Sequence, residues 1–214
     1  MGLRQNTMNK WHILPGMGAS SAMYNALRHK LDFEVNFINW PPYCGEKAYA
    51  EVAQRVVKES DVENGDVIGG SSLGGIVALE IAQLIQPKAV ILIGSAINTS
   101  EVNSLLAMLS PFAVVTPITL VQLLAGKQKN LVSAMFAESS PDFIRAMCSY
   151  LRLWRGYEGG RDNIFRIHGK KDHIIPCPNT GCDIIDDAGH LLAITHAGET
   201  ADFLKRVRIQ LRNN

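Results

Sequence analysis

The 214-residue chain carries 21 Lys and Arg against 20 Asp and Glu, a formal net charge of +1, and 47% of its residues are hydrophobic. That length and apolar content suit one well-buried core with room for a small insertion, not two full domains. The balanced charge argues against the basic footprint of a nucleic-acid binder and against an acidic tail, and Lys205, Arg206, Arg208 and Arg212 read as the solvated face and positive end of a final helix.

Trp11 to Leu14 is a short apolar run, read as a strand, that ends at Pro15-Gly16-Met17-Gly18; Ser20 or Ser21 then caps a helix through about Leu31. Phe33 to Asn39 alternates as a second strand and stops at Trp40-Pro41-Pro42. Glu46 to Ser60 reads as a helix with Val52, Ala53, Val56 and Val57 on its inner face. Asp66 to Gly70 is a β-branched apolar strand after the polar turn Glu63-Asn64-Gly65, followed by a mostly apolar helix from Leu73 to Ile85 that Pro87 stops. Ala89 to Gly94 is another buried strand. Strands apolar on both faces and separated by helices imply a parallel sheet covered on both sides.

From about Thr99 to Gly160 the strand pattern disappears, and Pro111, Pro117, Gly126 and Pro141 divide the segment into several helices, too long for a plain crossover. Ala107 to Gly126 reaches the length of a membrane span, but its two prolines, two threonines and a glutamine make it read as a pair of short apolar helices. Ile164 to His168 resumes the sheet, Cys182 to Ile185 is a last strand, and Gly198 to Arg212 a final helix. The expected organisation is an α/β core over 8–98 and 161–214, a doubly wound, mostly parallel sheet of about six strands, with a helical cap insertion over 99–160. Cys44, Cys148, Cys177 and Cys182 lack metal-ligand spacing, and no secretory signal is apparent, so a reduced cytoplasmic setting without metal or cofactor is expected. Cys177 and Cys182 flank a turn short enough to bridge, with structural thiols the expected state.

The chemistry gathers at Gly70-x-Ser72-x-Gly74, where a strand turns directly into a helix. Such a turn strains its middle residue, and glycines to either side avoid clashes with the neighbouring strand and helix, leaving Ser72 exposed as a candidate nucleophile. Neither G-x-x-x-x-G-K-[ST] nor G-x-G-x-x-G is present to favour a phosphate cradle. Asp172 follows the resumed strand in His168-Gly169-Lys170-Lys171-Asp172, and His190 follows the last strand in Asp186-Asp187-Ala188-Gly189-His190. Ser72, Asp172 and His190 thus each sit at a strand's C-terminal end, where ligands bind in such sheets. A serine needs a neutral imidazole to take its proton, and the imidazole needs a carboxylate to fix its tautomer. Ser71 is the competing nucleophile; Glu101, Asp183, Asp186 and Asp187 compete as the acid. His173, His196, His168, His12 and His29 compete as the base, with His168 read as a structural strand-end residue.

In these motifs the chain resembles the α/β-hydrolase superfamily, specifically its small carboxylesterase-like members, over nearly everything from Lys10 to Leu211. The resemblance implies that fold without its first strands, a Ser72-His190-Asp172 triad, and an oxyanion hole from the main-chain N–H groups of Met17 and Leu73. Two departures stand out: Pro15-Gly16 replaces the usual His-Gly, and only 18 positions separate Asp172 from His190, as if the helix between the last two strands were deleted. The implied activity is serine hydrolysis of a small or medium-chain carboxylic ester or thioester. The alternatives are carbon-carbon bond hydrolysis or acyl transfer on the same scaffold, or a non-enzymatic ligand-binding role. The insertion, with Leu105, Leu106, Met108, Leu109, Phe112, Leu120, Leu123, Leu124, Met135, Phe136, Tyr150, Leu153, Trp154 and Tyr157, would cover the serine and shape an acyl pocket. Lys127, Lys129, Arg145, Arg152 and Arg155 would form a basic rim suited to an anionic, carrier-linked thioester.

Overall fold

The computed structural model describes residues 9–102 and 140–213. Six parallel strands make one sheet: β1 (Trp11–Leu14), β2 (Asn36–Phe37), β3 (Val67–Ser71), β4 (Ala89–Ile93), β5 (Ile164–Gly169) and β6 (Asp183–Ile185). Their spatial order is β2-β1-β3-β4-β5-β6. Every residue of β1, β3 and β4 is buried, as a sheet covered on both faces requires. Alternate side chains feed two cores: Ile13, Val67, Ile91 and Ile93 point to one, and Leu14, Ile68, Val90 and Leu92 to the other. The chain steps from β1 outward to β2, then returns past β1 to β3, so the crevice at a topological switch point opens beyond the C-terminal ends of β1 and β3.

Helices α2 (Tyr49–Glu59), α3 (Leu73–Leu84) and α4 (Pro141–Leu151) bury their apolar faces in the core of Leu14 and Leu92. The short α1 (Asn25–Arg28) and α5 (Leu192–Thr195) and the long α6 (Ala197–Asn213) pack on the other face. α3 is buried around most of its circumference, under both α2 and the sheet.

Several boundaries differ from the sequence pattern for identifiable reasons. The helix expected from Ser20 to about Leu31 is a 3-10 turn (Ser21–Tyr24) followed by one turn of α1; Ser20 makes no side-chain cap bond, while the Ser21 N–H donates to Asn39 Oδ1. The strand expected over Phe33 to Asn39 pairs only at Asn36 and Phe37, with one further bond from Ile38 N–H to the Ile13 carbonyl before the chain reaches Pro41. α2 begins at Tyr49 rather than Glu46, because the Glu46 carboxylate accepts the Cys44 N–H and pairs with Arg55. β5 and β6 are joined without a helix, as their short spacing predicts.

Within the expected cap, a 3-10 turn (Thr99–Val102) and α4 are described. The apolar positions from Leu105 to Phe136, the breaks at Pro111, Pro117 and Gly126, and Lys127 and Lys129 lie outside the described residues. Among the described residues no helix is long and apolar enough to cross a membrane. All four cysteines are free thiols, and those of Cys177 and Cys182 both donate to the Pro178 carbonyl.

The glycines flanking Ser72 are fixed by close approach. A Cβ on Gly70 would strike the Gly74 backbone, and one on Gly74 would strike the carbonyls of Leu14 and Pro15. Gly74→Ala is therefore expected to destabilise the protein by about 2 kcal/mol or more in urea unfolding. Wild-type stability in that variant would contradict this packing of α3 against the end of β1.

Candidate active site

β3 passes into α3 through Ser72 alone, at φ 52° and ψ −119°. Such a conformation costs a non-glycine residue about 1–3 kcal/mol and persists only where its surroundings over-determine it. Here the Ser72 N–H donates to the Ile93 carbonyl at 3.0 Å, and the Ser72 carbonyl accepts from the N–H groups of Gly75 and Ile76 and from Ser95 Oγ. One residue earlier, Ser71 Oγ lies 2.8 Å from the Tyr24 hydroxyl, itself 2.7 Å from the Leu14 carbonyl. A phenol has one proton to give, so Tyr24 donates to Leu14 and Ser71 donates to Tyr24. Burial pushes the Tyr24 phenol well above its usual range, which keeps that proton in place. Ser71 is thereby committed inward, to the end of β1.

The structure brings Ser72, His190 and Asp172 into one hydrogen-bonded line. His190 Nε2 lies 2.8 Å from Ser72 Oγ, and His190 Nδ1 lies 2.8 Å from Asp172 Oδ2. With the carboxylate ionised, Nδ1–H donates to Asp172 and leaves Nε2 to accept the Ser72 proton. The other carboxylate oxygen, Oδ1, accepts the N–H groups of Ile174 and Ile175 at 2.8 and 3.0 Å. Burial pushes the Asp172 carboxyl up, but the adjacent His190 and the hydrogen bonds from His168 and His190 outweigh it and hold the group well below the usual carboxylate range.

The helix-free connection between β5 and β6 makes this juxtaposition compact. Lys171 N–H donates to the Ala188 carbonyl at 2.9 Å, and a Cβ on Gly169 would strike the backbone of Ala188 and Gly189. The turn carrying Asp172 therefore leans directly on the segment carrying His190.

His168 has a closer connection to the site than its sequence position conveys. Its Nε2 lies 2.8 Å from the Ile175 carbonyl and 3.2 Å from Asp172 Oδ2. A carbonyl only accepts, so Nε2 carries the hydrogen and shares it with Asp172. The available signal was its place four residues before Asp172 at the head of H-G-x-x-D. The competing acids are engaged elsewhere: Glu101 with Arg166, Asp183 with Arg206, Asp186 with Lys170 and Asp187 with His196. His12 on β1 pairs with Asp66, just before β3 begins, and His29 and His173 are exposed.

Leu73 opens α3, so its N–H is one of the four helix donors without an intrahelical acceptor, at the positive end of the helix dipole. The turn carrying Met17 lies beside the serine: a Cβ on Gly16 would stand 3.8 Å from Ser72 Cβ. The Cys148 thiol donates to Met17 Sδ at 3.6 Å, Trp40 Nε1–H donates to the Gly16 carbonyl just before Met17, and Trp40 and Tyr43 both contact the Phe143 ring. Burial pushes the Cys148 thiol up to about 11, so it stays protonated. Of the expected basic rim, Arg145 pairs with Asp142 on α4. Arg155 lines a cavity of about 290 Å³ with Glu80, Tyr150 and Trp154, on the flank of α3 rather than at its N-terminus.

No family model and no curated protein sequence matches the chain. Solved structures do match it in shape. A hydrolase from Oleispira antarctica superimposes with a TM-score of 0.73 at 14% identity, covering 96% of this chain and 92% of its own. A thermophilic esterase from Thermogutta terrifontis gives 0.69 at 14% identity, with 95% and 90% covered. A lipase-esterase related protein from Clostridium acetobutylicum gives 0.70 at 15% identity, with 93% and 94% covered.

A carboxyl held below its unfolded value stabilises the fold above that value and loses this contribution as pH falls through the folded one. Asp172→Asn is expected to lower the unfolding free energy at pH 7, with the gap to wild type closing as the pH drops below about 4. A gap that stays constant from pH 7 to pH 3 in urea unfolding would contradict the ionised, hydrogen-bonded Asp172.

Proposed function

We infer from the α/β-hydrolase fold of this chain that it is a serine hydrolase, cleaving a small or medium-chain carboxylic ester or thioester. The observation that carries the reading is the run from Ser72 Oγ through His190 to Asp172, with both contacts at 2.8 Å. In this reading His190 Nε2 takes the Ser72 proton as Oγ attacks the acyl carbonyl. The charge that develops on the carbonyl oxygen is met by the N–H groups of Met17 and Leu73. Asp172 keeps the imidazole in the tautomer that accepts from serine and stabilises the imidazolium that results. Collapse of the tetrahedral intermediate breaks the bond to the alcohol or thiol, which leaves with the proton from His190 while the acyl group stays on Ser72. His190 then deprotonates a water that attacks the acyl-enzyme, and the reverse collapse frees the acid and restores Ser72.

The substrate class proposed draws support from the side chains near the first loop. Trp40, hydrogen-bonded to Gly16 beside the serine, packs with Tyr43 on Phe143, and together with Met17 they join the apolar core of Leu73, which supports an acyl chain rather than a charged group as the occupant. The substrate is a small molecule, free or linked to a carrier.

A fluorophosphonate probe is expected to label Ser72 in the folded protein and to leave Ser72→Ala unlabelled. On a panel of p-nitrophenyl esters and acyl thioesters, Asp172→Asn should lower kcat by about 10³–10⁴. Turnover that rises only when an acceptor alcohol is added would identify an acyltransferase, and ligand binding without turnover or labelling would reject the hydrolase reading.

A further inference from the structure

We propose that Trp40 is a positioning residue for the oxyanion hole: its indole N–H holds the Gly16 carbonyl so that the Met17 N–H of the same peptide is turned toward Ser72. The inference rests on the serine-hydrolase reading and assigns a residue that the motifs leave out.

The argument begins with a planar group. In a trans peptide the carbonyl oxygen and the N–H of the next residue point in opposite directions, so fixing one fixes the other. The Gly16 carbonyl is held twice, by Trp40 Nε1–H at 3.0 Å and by the Ala19 N–H at 3.2 Å. The first of these comes from 24 residues away, at the exit of β2, and the second from the turn itself. Without the indole the peptide is held from its own turn alone, and that turn contains Gly16 and Gly18, the latter at φ 70°. Glycines lower the cost of rotating a peptide plane, so a second anchor is what keeps the donor aimed.

The indole is itself anchored. Its ring centroid lies 5.5 Å from that of Phe143 on α4, and Pro41 and Pro42 restrict the backbone that follows it. α4 touches the same turn again through the Cys148 thiol and Met17 Sδ. The oxyanion loop is thus held from β2 and from α4, neither of which carries a member of the serine-histidine-aspartate line. Pro15, which precedes the loop glycine, has no side-chain donor to offer, and the side-chain bond at the Gly16 carbonyl comes from Trp40.

A donor that is misaimed costs the transition state more than the bound ester, because charge appears on the oxygen only as the tetrahedral species forms. The experiment compares wild type with W40F and with Trp40 replaced by benzothienylalanine, which keeps the bicyclic shape and lacks only the N–H. Both replacements are expected to lower kcat for p-nitrophenyl butyrate about tenfold while KM stays within about twofold, a fraction of the loss on deleting a donor outright. Affinity for phenylboronic acid, which forms a tetrahedral adduct on serine, should fall by the same factor as kcat/KM. If the benzothienyl protein keeps wild-type kcat and boronate affinity, whatever W40F does, the N–H has no such role and the inference is overturned. A wild-type protein that neither turns over esters nor takes a fluorophosphonate would instead reject the hydrolase reading itself.

Discussion

Ser72 occupies a backbone conformation that its own side chain disfavours, and the architecture around it is arranged to keep it there. Its N–H is tied to the end of β4, its carbonyl to the first turn of α3 and to Ser95, and its neighbour Ser71 through Tyr24 to the end of β1. β1, β3 and β4 therefore converge on the Ser71–Ser72 pair. The glycines on either side are the steric counterpart of those bonds, since a methyl group at Gly70 or Gly74 would push α3 away from β3 or β1. Strain stored at one residue is offset by a sheet whose central strands are wholly buried.

The second half of the site depends on a shortened connection. With no helix between β5 and β6, the turn that bears Asp172 meets the segment that bears His190 backbone to backbone. Asp172 is 5% exposed, and in that setting a carboxylate is tolerable only because it is answered on every side: two N–H groups at Oδ1, and His190 and His168 at Oδ2. Buried charge and short loop are one solution, because the close approach that brings the histidine in also excludes water from the carboxylate. His168, bound to the Ile175 carbonyl as well, ties the returning loop to β5 and sets the direction from which Asp172 faces the imidazole.

Much of this was legible in the sequence because it is local. β1, β4 and the β3–α3 unit are apolar runs punctuated by glycine and proline, and the residues at the ends of β3, β5 and β6 are the ones that meet. What escaped was decided by partners distant in the chain. β2 shrinks to two paired residues because only β1 borders it, and α1 is cut to a single turn. Glu46 lies outside α2 for a local reason instead, its carboxylate being taken up by Cys44 and Arg55. Trp40 looked like the end of a strand before a proline pair; its indole finds Gly16 only once β1 and β2 are paired. Tyr24 likewise has no motif, and its link from Leu14 to Ser71 exists only in three dimensions.

The central claim is that Ser72 becomes covalently acylated with His190 as its base. Rapid acid quenching during turnover of p-nitrophenyl butyrate, followed by peptide mass spectrometry, tests it most directly. A butyryl group on the peptide containing Ser72, absent from His190→Ala, is the predicted result. Sustained ester turnover with no acyl group on that peptide at any quench time would contradict it.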